Sequence, residues 1–409
     1  MKYLRLSYCD YHGAGAASLH NVERLRKLGV DAKLVVLQKT VDVDYVIGLF
    51  DCTTAEGKRK FESFLHKRTE LKHHIAGWPD NKYCYFDLQI PAVSARKVLA
   101  MYGETPDIIS VGWVTDFVSA YTIRRLQKLT GAKVIYVMVD NAPITGGCHY
   151  PWDCEGYKHN CYPCPALRWH FRLSQLTLAF KHHNITEDMI ICGTTNDCNR
   201  ARESLLFRNS KILPVVYRAD NPFSFPRNIG RAKWGIDDDS FVIFIGASFL
   251  YEQRKGFTYF QNALKRLESI DGFVKKSVIL LAGDGDIELP STFNVKKVGT
   301  LGPEDLFKAF GCADIFVCPS VEDSGPMMIN YAFEANIPVV CFKMGVALDL
   351  IIHKENGYIA ELFNTNDLAE GIYYWYSQQI DFSRITELNS KIKDDIFRNK
   401  NYDSILKMA

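Results

Sequence analysis

No stretch of this chain reaches the ~18 consecutive apolar residues that a bilayer crossing requires. The first residues, Met-Lys-Tyr-Leu-Arg-Leu, begin like a strand and lack the apolar centre of a secretory leader. Charge of one sign is equally scarce. The 49 Lys and Arg stand against 47 Asp and Glu, a net of +2, so no global field draws the chain to nucleic acid. Internal repeats and low-complexity segments are absent as well, which leaves compact domains as the organising unit. What is present is an ordinary globular composition, 47% hydrophobic and 23% charged, in 409 residues, enough chain for about two domains. The expected setting is the cytoplasm.

Cysteine is the exception, with 12 in the chain. Cys9, Cys192, Cys312, Cys318 and Cys341 fall in or beside apolar runs, where a free thiol behaves as a small buried hydrophobe. Cys148, Cys154, Cys161 and Cys164 are bunched in a loop over 146–165 and end in a Cys-x-x-Cys step. Four thiolates so close can close a tetrahedral structural zinc site, with His149 able to replace one of them. Two disulfides, disfavoured in a reducing compartment, and unpaired thiols are the other readings.

Along the chain, β-rich apolar runs alternate with helical patterns. The first series has runs at 4–7, 32–37, 45–50, 108–113 and 134–139, and the second at 241–246, 277–283, 295–298, 315–319 and 337–342. Such alternation predicts parallel strands with crossover helices. A polar, proline-bearing stretch near 220–226 separates the two series. The expectation is an α/β chain of two doubly wound Rossmann-like domains, 1–210 and 211–380. Their ligand cleft would lie between them, at the carboxyl ends of the strands, followed by C-terminal helices over 381–409.

Phosphate binding needs backbone that can approach without a Cβ in the way. Gly13, Ala14 and Gly15 follow the first strand, either as a tight strand-to-helix turn or as a ligand loop, with His12 beside them. After the run at 241–246, Arg254 and Lys255 stand at the opening of a helical pattern, where cations oppose the helix dipole and ask for an anion; a solvated surface pair is the alternative. Gly283 and Gly285 form a turn after the next apolar run, with carboxylates suited to accepting hydroxyl hydrogens. Residues 319–330 (Pro-Ser-Val-Glu-Asp-Ser-Gly-Pro-Met-Met-Ile-Asn) then make a Gly-Pro turn after the run at 315–318 and open a helix. The helix N-terminus suits a diphosphate, and Glu322 at the rim of the turn suits a neutral polar ligand such as a sugar.

These segments, with Pro-Val-Val-Cys-Phe-Lys-Met-Gly at 338–345 and Thr-Gly-Gly-Cys-His-Tyr at 145–150, resemble the retaining glycosyltransferases of the family-4 group. The region at 139–150 is similar to the subgroup that assembles bacterial surface polysaccharides of the colanic-acid type. The resemblance runs from about 140 to 371 and is weak over 40–100, the acceptor-facing region. It implies the GT-B arrangement of two Rossmann-like domains, with the C-terminal helices crossing back to the first, acceptor-side domain. It further implies that Gly13, Ala14 and Gly15 border the ligands, that Arg254 and Lys255 meet the diphosphate, and that Gly283 and Gly285 lie near base and ribose. Gly325, Met327 and Met328 would line the donor turn. Relatives carry two glutamates separated by seven residues, one on the sugar and one on the ribose; here Glu322 holds the first position and Asn330 the second. Relatives also carry a histidine where this chain has Val139, which leaves Asp140 as the polar residue nearest the reacting centre. Asn336 stands where relatives have glycine.

The implied activity is retaining transfer of a sugar from a UDP- or GDP-linked donor to a growing surface glycan, carried or not on a lipid. Glu322 and Asp140 are the catalytic candidates, and no catalytic cofactor is expected. Arg168 to Arg172 and Lys72 to His74 offer basic and aromatic contacts to an anionic membrane, or simply part of a buried helix. A nucleotide-sugar-binding module without turnover, or an epimerase of similar architecture, are the rival readings.

Overall fold

The computed structural model describes residues 1–168, 171–217 and 225–400, without the side chains of His12, Phe171, Asp271, Phe397 and Arg398. The chain divides into two compact units at Val215/Val216. Each is built on one parallel sheet whose central strands are buried on both faces, so they read as continuous apolar runs rather than alternating ones.

The first unit holds seven strands: β1 (Lys2–Cys9), β2 (Asp31–Lys39), β3 (Val46–Asp51), β4 (Ile108–Val111), β5 (Lys133–Val137), β6 (Ile190–Gly193) and β7 (Ile212–Pro214), in the order β3-β2-β1-β4-β5-β6-β7. Tyr3 pairs with Ala32 on one side and Ile108 on the other. The order reverses between β1 and β4, the place where an open α/β sheet leaves a crevice at its carboxyl edge. The second unit holds β8 (Phe241–Phe249), β9 (Ser277–Asp284), β10 (Asn294–Gly299), β11 (Ile315–Cys318), β12 (Val339–Phe342) and β13 (Gly357–Ala360), in the order β10-β9-β8-β11-β12-β13. Its reversal falls between β8 and β11. Phe244, Phe310 and Phe316 form an aromatic triangle in its core, with ring centroids 4.9, 5.3 and 5.5 Å apart.

One boundary differs from expectation. The first domain extends to Val215 rather than 210, because β7 completes the first sheet beside β6. The helix Phe382–Asn399 belongs to the second unit. Its apolar residues Phe382, Ile392 and Ile396 pack on the second core. Buried Asn389 fixes the docking, donating to the Phe333 carbonyl and to Asn336 and accepting from Asn356. Residues 401–409, and the linker expected near 220–226 as far as 224, lie outside the described residues. No helix among the described residues is long and apolar enough to cross a membrane.

Candidate functional site

In the second unit, two loops meet where the sheet order reverses. The turn after β8 runs through a 3-10 stretch, Gln253–Lys255, into Gly256 at φ 69°. A Cβ on Gly256 would lie 1.8 Å from the Pro319 carbonyl oxygen, so only glycine lets the two loops touch. The contact is sealed by Val321 N–H donating to the Arg254 carbonyl at 2.9 Å. Arg254 and Lys255 are thereby set over the loop after β11.

Both cations converge on one oxygen. Arg254 Nη1 is 2.6 Å and Lys255 Nζ 2.7 Å from Asp323 Oδ2, while Arg254 Nη2 is 2.7 Å from Glu252. The other Asp323 oxygen accepts from Gly325 N–H at 3.3 Å. Burial alone would raise the Asp323 carboxyl, but the charges of Lys255 and Arg254 outweigh it and hold it below the usual range. Asp323 is therefore ionised at neutral pH. Glu322, the residue singled out from the sequence, is buried next to it, its N–H 3.5 Å from the Arg254 carbonyl. Asp323 is the residue that sequence reading missed. Two consecutive acids on one turn carry no mark of which one faces a basic pair 68 residues away in the chain.

The remaining donor-side residues have different settings. Gly283 (φ 140°), near the end of β9, and Gly285 (φ 105°), just past it, shape the chain there, and a Cβ on Gly283 would meet the Ala247 carbonyl oxygen at 2.1 Å. Gly325 precedes Pro326, and Met327 opens the helix Met327–Glu334. Met328 packs on the core. Asn330 is buried, and its amide donates to the Pro326 carbonyl of its own helix at 3.4 Å. Glu334 pairs with Lys393 at 2.9 Å.

In the first unit, Gly13, Ala14 and Gly15 form the first turn of the helix His12–Lys27. Gly15 is required by close packing, since its Cβ would meet Cys9 Sγ at 2.7 Å, whereas Gly13 faces open space. Asp140, just past β5, is buried. Its Oδ1 accepts from Ala142 N–H at 2.8 Å and its Oδ2 lies 2.7 Å from His149 Nδ1. Behind them Lys181 pairs with Asp87 at 2.6 Å and donates to the Ala142 and Thr145 carbonyls, which fixes the turn after Asp140. Lys72, read either as a membrane contact or as part of a buried helix, is engaged by Asp116. Trp169 and His170 of the other basic stretch lie outside the described residues.

The cysteine loop packs with Tyr83, Tyr85 and Trp152 as a small satellite core that includes Cys148, Cys154 and Cys164. Cys161 packs on the main core, and Gly156 N–H donates to Cys154 Sγ at 3.4 Å. Desolvation pushes the Cys161 thiol up to about 12 and Cys148 well above its ordinary value, with neighbouring thiols adding to both. Among the described residues, however, no group of three or more His, Cys, Asp or Glu is arranged to hold a metal ion.

Residues 240–378 match the family described as Glycosyl transferases group 1. Over 209 residues the chain is 26% identical to an uncharacterized glycosyltransferase of Methanocaldococcus jannaschii, a stretch covering 47% of this chain and 51% of that protein. The chain thus spans about half the length of that curated relative. Two solved structures are similar over 100% of the chain. One is sucrose-phosphate synthase of Thermosynechococcus elongatus, with a TM-score of 0.62, 15% identity and 97% of that chain covered. The other is HepE of Anabaena in complex with UDP-glucose, with a TM-score of 0.61, 15% identity and 98% covered. At this identity the likeness establishes the fold, the GT-B class of two Rossmann-like domains.

Proposed function

We propose that the chain is a glycosyltransferase that moves a sugar from a nucleotide diphosphate to a glycan acceptor, with the donor held by the second unit. The observation that carries this reading is the convergence of Arg254 and Lys255 on Asp323 where the second sheet reverses, inside the segment that matches Glycosyl transferases group 1. Two cations fixed by a stitched pair of loops suit a diphosphate, and the adjacent carboxylates of Glu322 and Asp323 suit sugar hydroxyls.

In this reading transfer retains configuration. The acceptor oxygen bonds to the anomeric carbon on the face from which the phosphate oxygen departs, and the acceptor proton passes to that oxygen. Arg254 and Lys255 stabilise the charge that grows on the leaving diphosphate, so no protein base is demanded. The acceptor belongs to a surface glycan, lipid-linked at the cytoplasmic face of a membrane. UDP is the first carrier to try, because HepE, a neighbour in fold, was solved with UDP-glucose. Calorimetric titration with UDP, GDP and ADP tests the donor site. One diphosphate should bind, and Arg254→Ala or Lys255→Ala should weaken it roughly ten- to hundredfold, the worth of a charge-assisted contact. No binding by any of the three sinks the reading.

A binding module without turnover is the second reading, favoured by Asn330, whose amide is turned onto its own helix. Diphosphate binding without donor consumption, once glycan acceptors are supplied, would select it.

A further inference from the structure

Among the described residues between the turn Ala142–Ile144 and the helix Phe171–Asn184, the one regular element is the 3-10 turn Gly156–Lys158, besides a lone bridge from Cys148 to Tyr85. An irregular segment of this length has little backbone pairing and little apolar surface of its own, so a stable shape asks for a staple. The segment carries Cys148, Cys154, Cys161 and Cys164, all as free thiols.

The four side chains gather at one place. Cys148, Cys154 and Cys164 share the satellite core, and Gly156 ties Cys161 to them: its carbonyl accepts from Cys161 N–H at 2.8 Å, and a Cβ on it would lie 3.1 Å from Cys161 Cα and 3.4 Å from Cys154 Sγ. In all six pairings of the four, one thiolate is close enough to oppose ionisation of the other. Two sulfurs already accept from the backbone, Cys154 from Gly156 N–H at 3.4 Å and Cys161 from Gly146 N–H. A peptide N–H aimed at sulfur favours thiolate over thiol. The missing side chain makes the second approach possible, since a Cβ on Gly146 would lie 3.0 Å from Cys161 Sγ. His149, although inside the motif, is committed elsewhere, with Nδ1 2.7 Å from Asp140 Oδ2 and Nε2 3.3 Å from Thr115 Oγ1. The candidate ligand set is therefore four sulfurs.

We propose that Cys148, Cys154, Cys161 and Cys164 form a structural zinc site that staples this loop. In the present arrangement the sulfurs are neighbours rather than ligands, and rotation about the χ1 torsions is what would turn them onto one ion. Soft thiolates in a four-sulfur set select zinc over magnesium or calcium. Binding releases the four S–H protons to water and leaves an anionic complex, offset by the two N–H groups and by Lys181, whose charge reaches Cys161. Burial that disfavours a lone thiolate is overcome by the dication, which deprotonates a coordinating thiol outright. The ion would also hold the turn that presents His149 to Asp140, because Cys148 precedes His149 and its carbonyl accepts from the Thr115-independent hydroxyl of Thr145. The inference stands apart from the glycosyltransferase reading and survives its failure.

Elemental analysis of the full chain, expressed with added zinc and purified under reduction without chelator, tests it. About one zinc per chain is expected. The cobalt-loaded protein should show a sulfur-to-cobalt charge-transfer band and the strong visible bands of a tetrahedral four-sulfur site. Cys161→Ser with Cys164→Ser should lower the zinc content at least about tenfold, since even a change behind the ligands costs that much affinity. Cys52→Ser, outside the loop, should leave the content unchanged. The cobalt spectrum is read on the unaltered chain, so the outcome does not depend on the double variant folding. Reduced protein that holds no zinc and takes up neither zinc nor cobalt would overturn the proposal. So would zinc retained in full by a folded double variant, or a cobalt spectrum of nitrogen and oxygen ligands.

Discussion

At the residue scale, the donor-side cluster rests on positions whose roles have opposite chemistry. Asp323 neutralises the two cations that a diphosphate would use, so an incoming diphosphate competes with it. Asp323→Asn is expected to tighten binding of bare UDP several-fold and to steepen its salt dependence, read by calorimetry at two ionic strengths. Weaker binding would instead mean that the carboxylate's job is to hold the cations in place. The glycines separate just as sharply. Gly256→Ala forces a side chain into a left-handed residue and onto the Pro319 carbonyl, a loss on the order of 2–4 kcal/mol by denaturant midpoint. Gly13→Ala, in a helix and facing open space, should gain about 0.5–1 kcal/mol. Gly13 was visible in the sequence as a turn glycine, yet nothing local marks Gly256 as the indispensable one; that depends on which carbonyl another loop brings to it. Asn336 was legible for the converse reason. Its left-handed backbone, φ 58°, follows from where a helix must end, a local matter.

At the scale of elements, strands could be read because parallel sheets bury both faces and leave continuous apolar runs in the sequence. Sheet order could not, since it is set by which crossover packs on which face. The final helix shows the limit: helices were expected over 381–409, but the seat of Phe382–Asn399 depends on Asn389, a buried polar residue whose three partners come from distant segments. The aromatic triangle of the second core is the opposite case, apolar and closely packed. Phe316→Ala there should cost about 3–5 kcal/mol, seen as a lower denaturant midpoint. The cysteine loop lies between these cases. Its spacing suggested zinc, while the folded loop buries the thiols against tyrosines and tryptophan. With the Cys161 thiol pushed up to about 12, its thiolate fraction at pH 8 is roughly 10³-fold below that of an ordinary cysteine. Iodoacetamide should therefore spare Cys161 in the folded protein and label it after unfolding. Metal analysis of the same sample reads the zinc expectation directly, and fast labelling in the folded state would show that the loop opens.

For the molecule as a whole, buried ion pairs in each unit set how stability responds to acid. Asp87 in the first unit and Asp323 in the second both titrate below their ordinary range: burial raises each, but Lys181 lowers the first and Lys255 with Arg254 lowers the second by more. A carboxyl depressed in the folded state contributes stability that is present above its unfolded value, near 3.9, and lost as pH falls through the folded one. Asp116 runs the other way. Burial, only partly offset by Lys72, raises it, so its contribution is present below the unfolded value and fades as pH rises through the folded one. Asp323 is depressed with no such counterweight, whereas Asp87 and Asp116 oppose each other within the first unit, so a loss of stability in acid, starting near pH 4, is expected first in the second unit. Calorimetric scans between pH 7 and 3 should show it, and the units can melt separately because each has its own core. Asp323→Asn should flatten the acid dependence of one transition and leave the other unchanged. Saturating UDP, by binding only the folded second unit, should raise that same transition, by about 2.7 kcal/mol at a hundred times its dissociation constant. If UDP raised one transition and Asp323→Asn flattened the other, the diphosphate would bind outside the Arg254–Lys255–Asp323 cluster, and the donor site would have to be sought in the first unit.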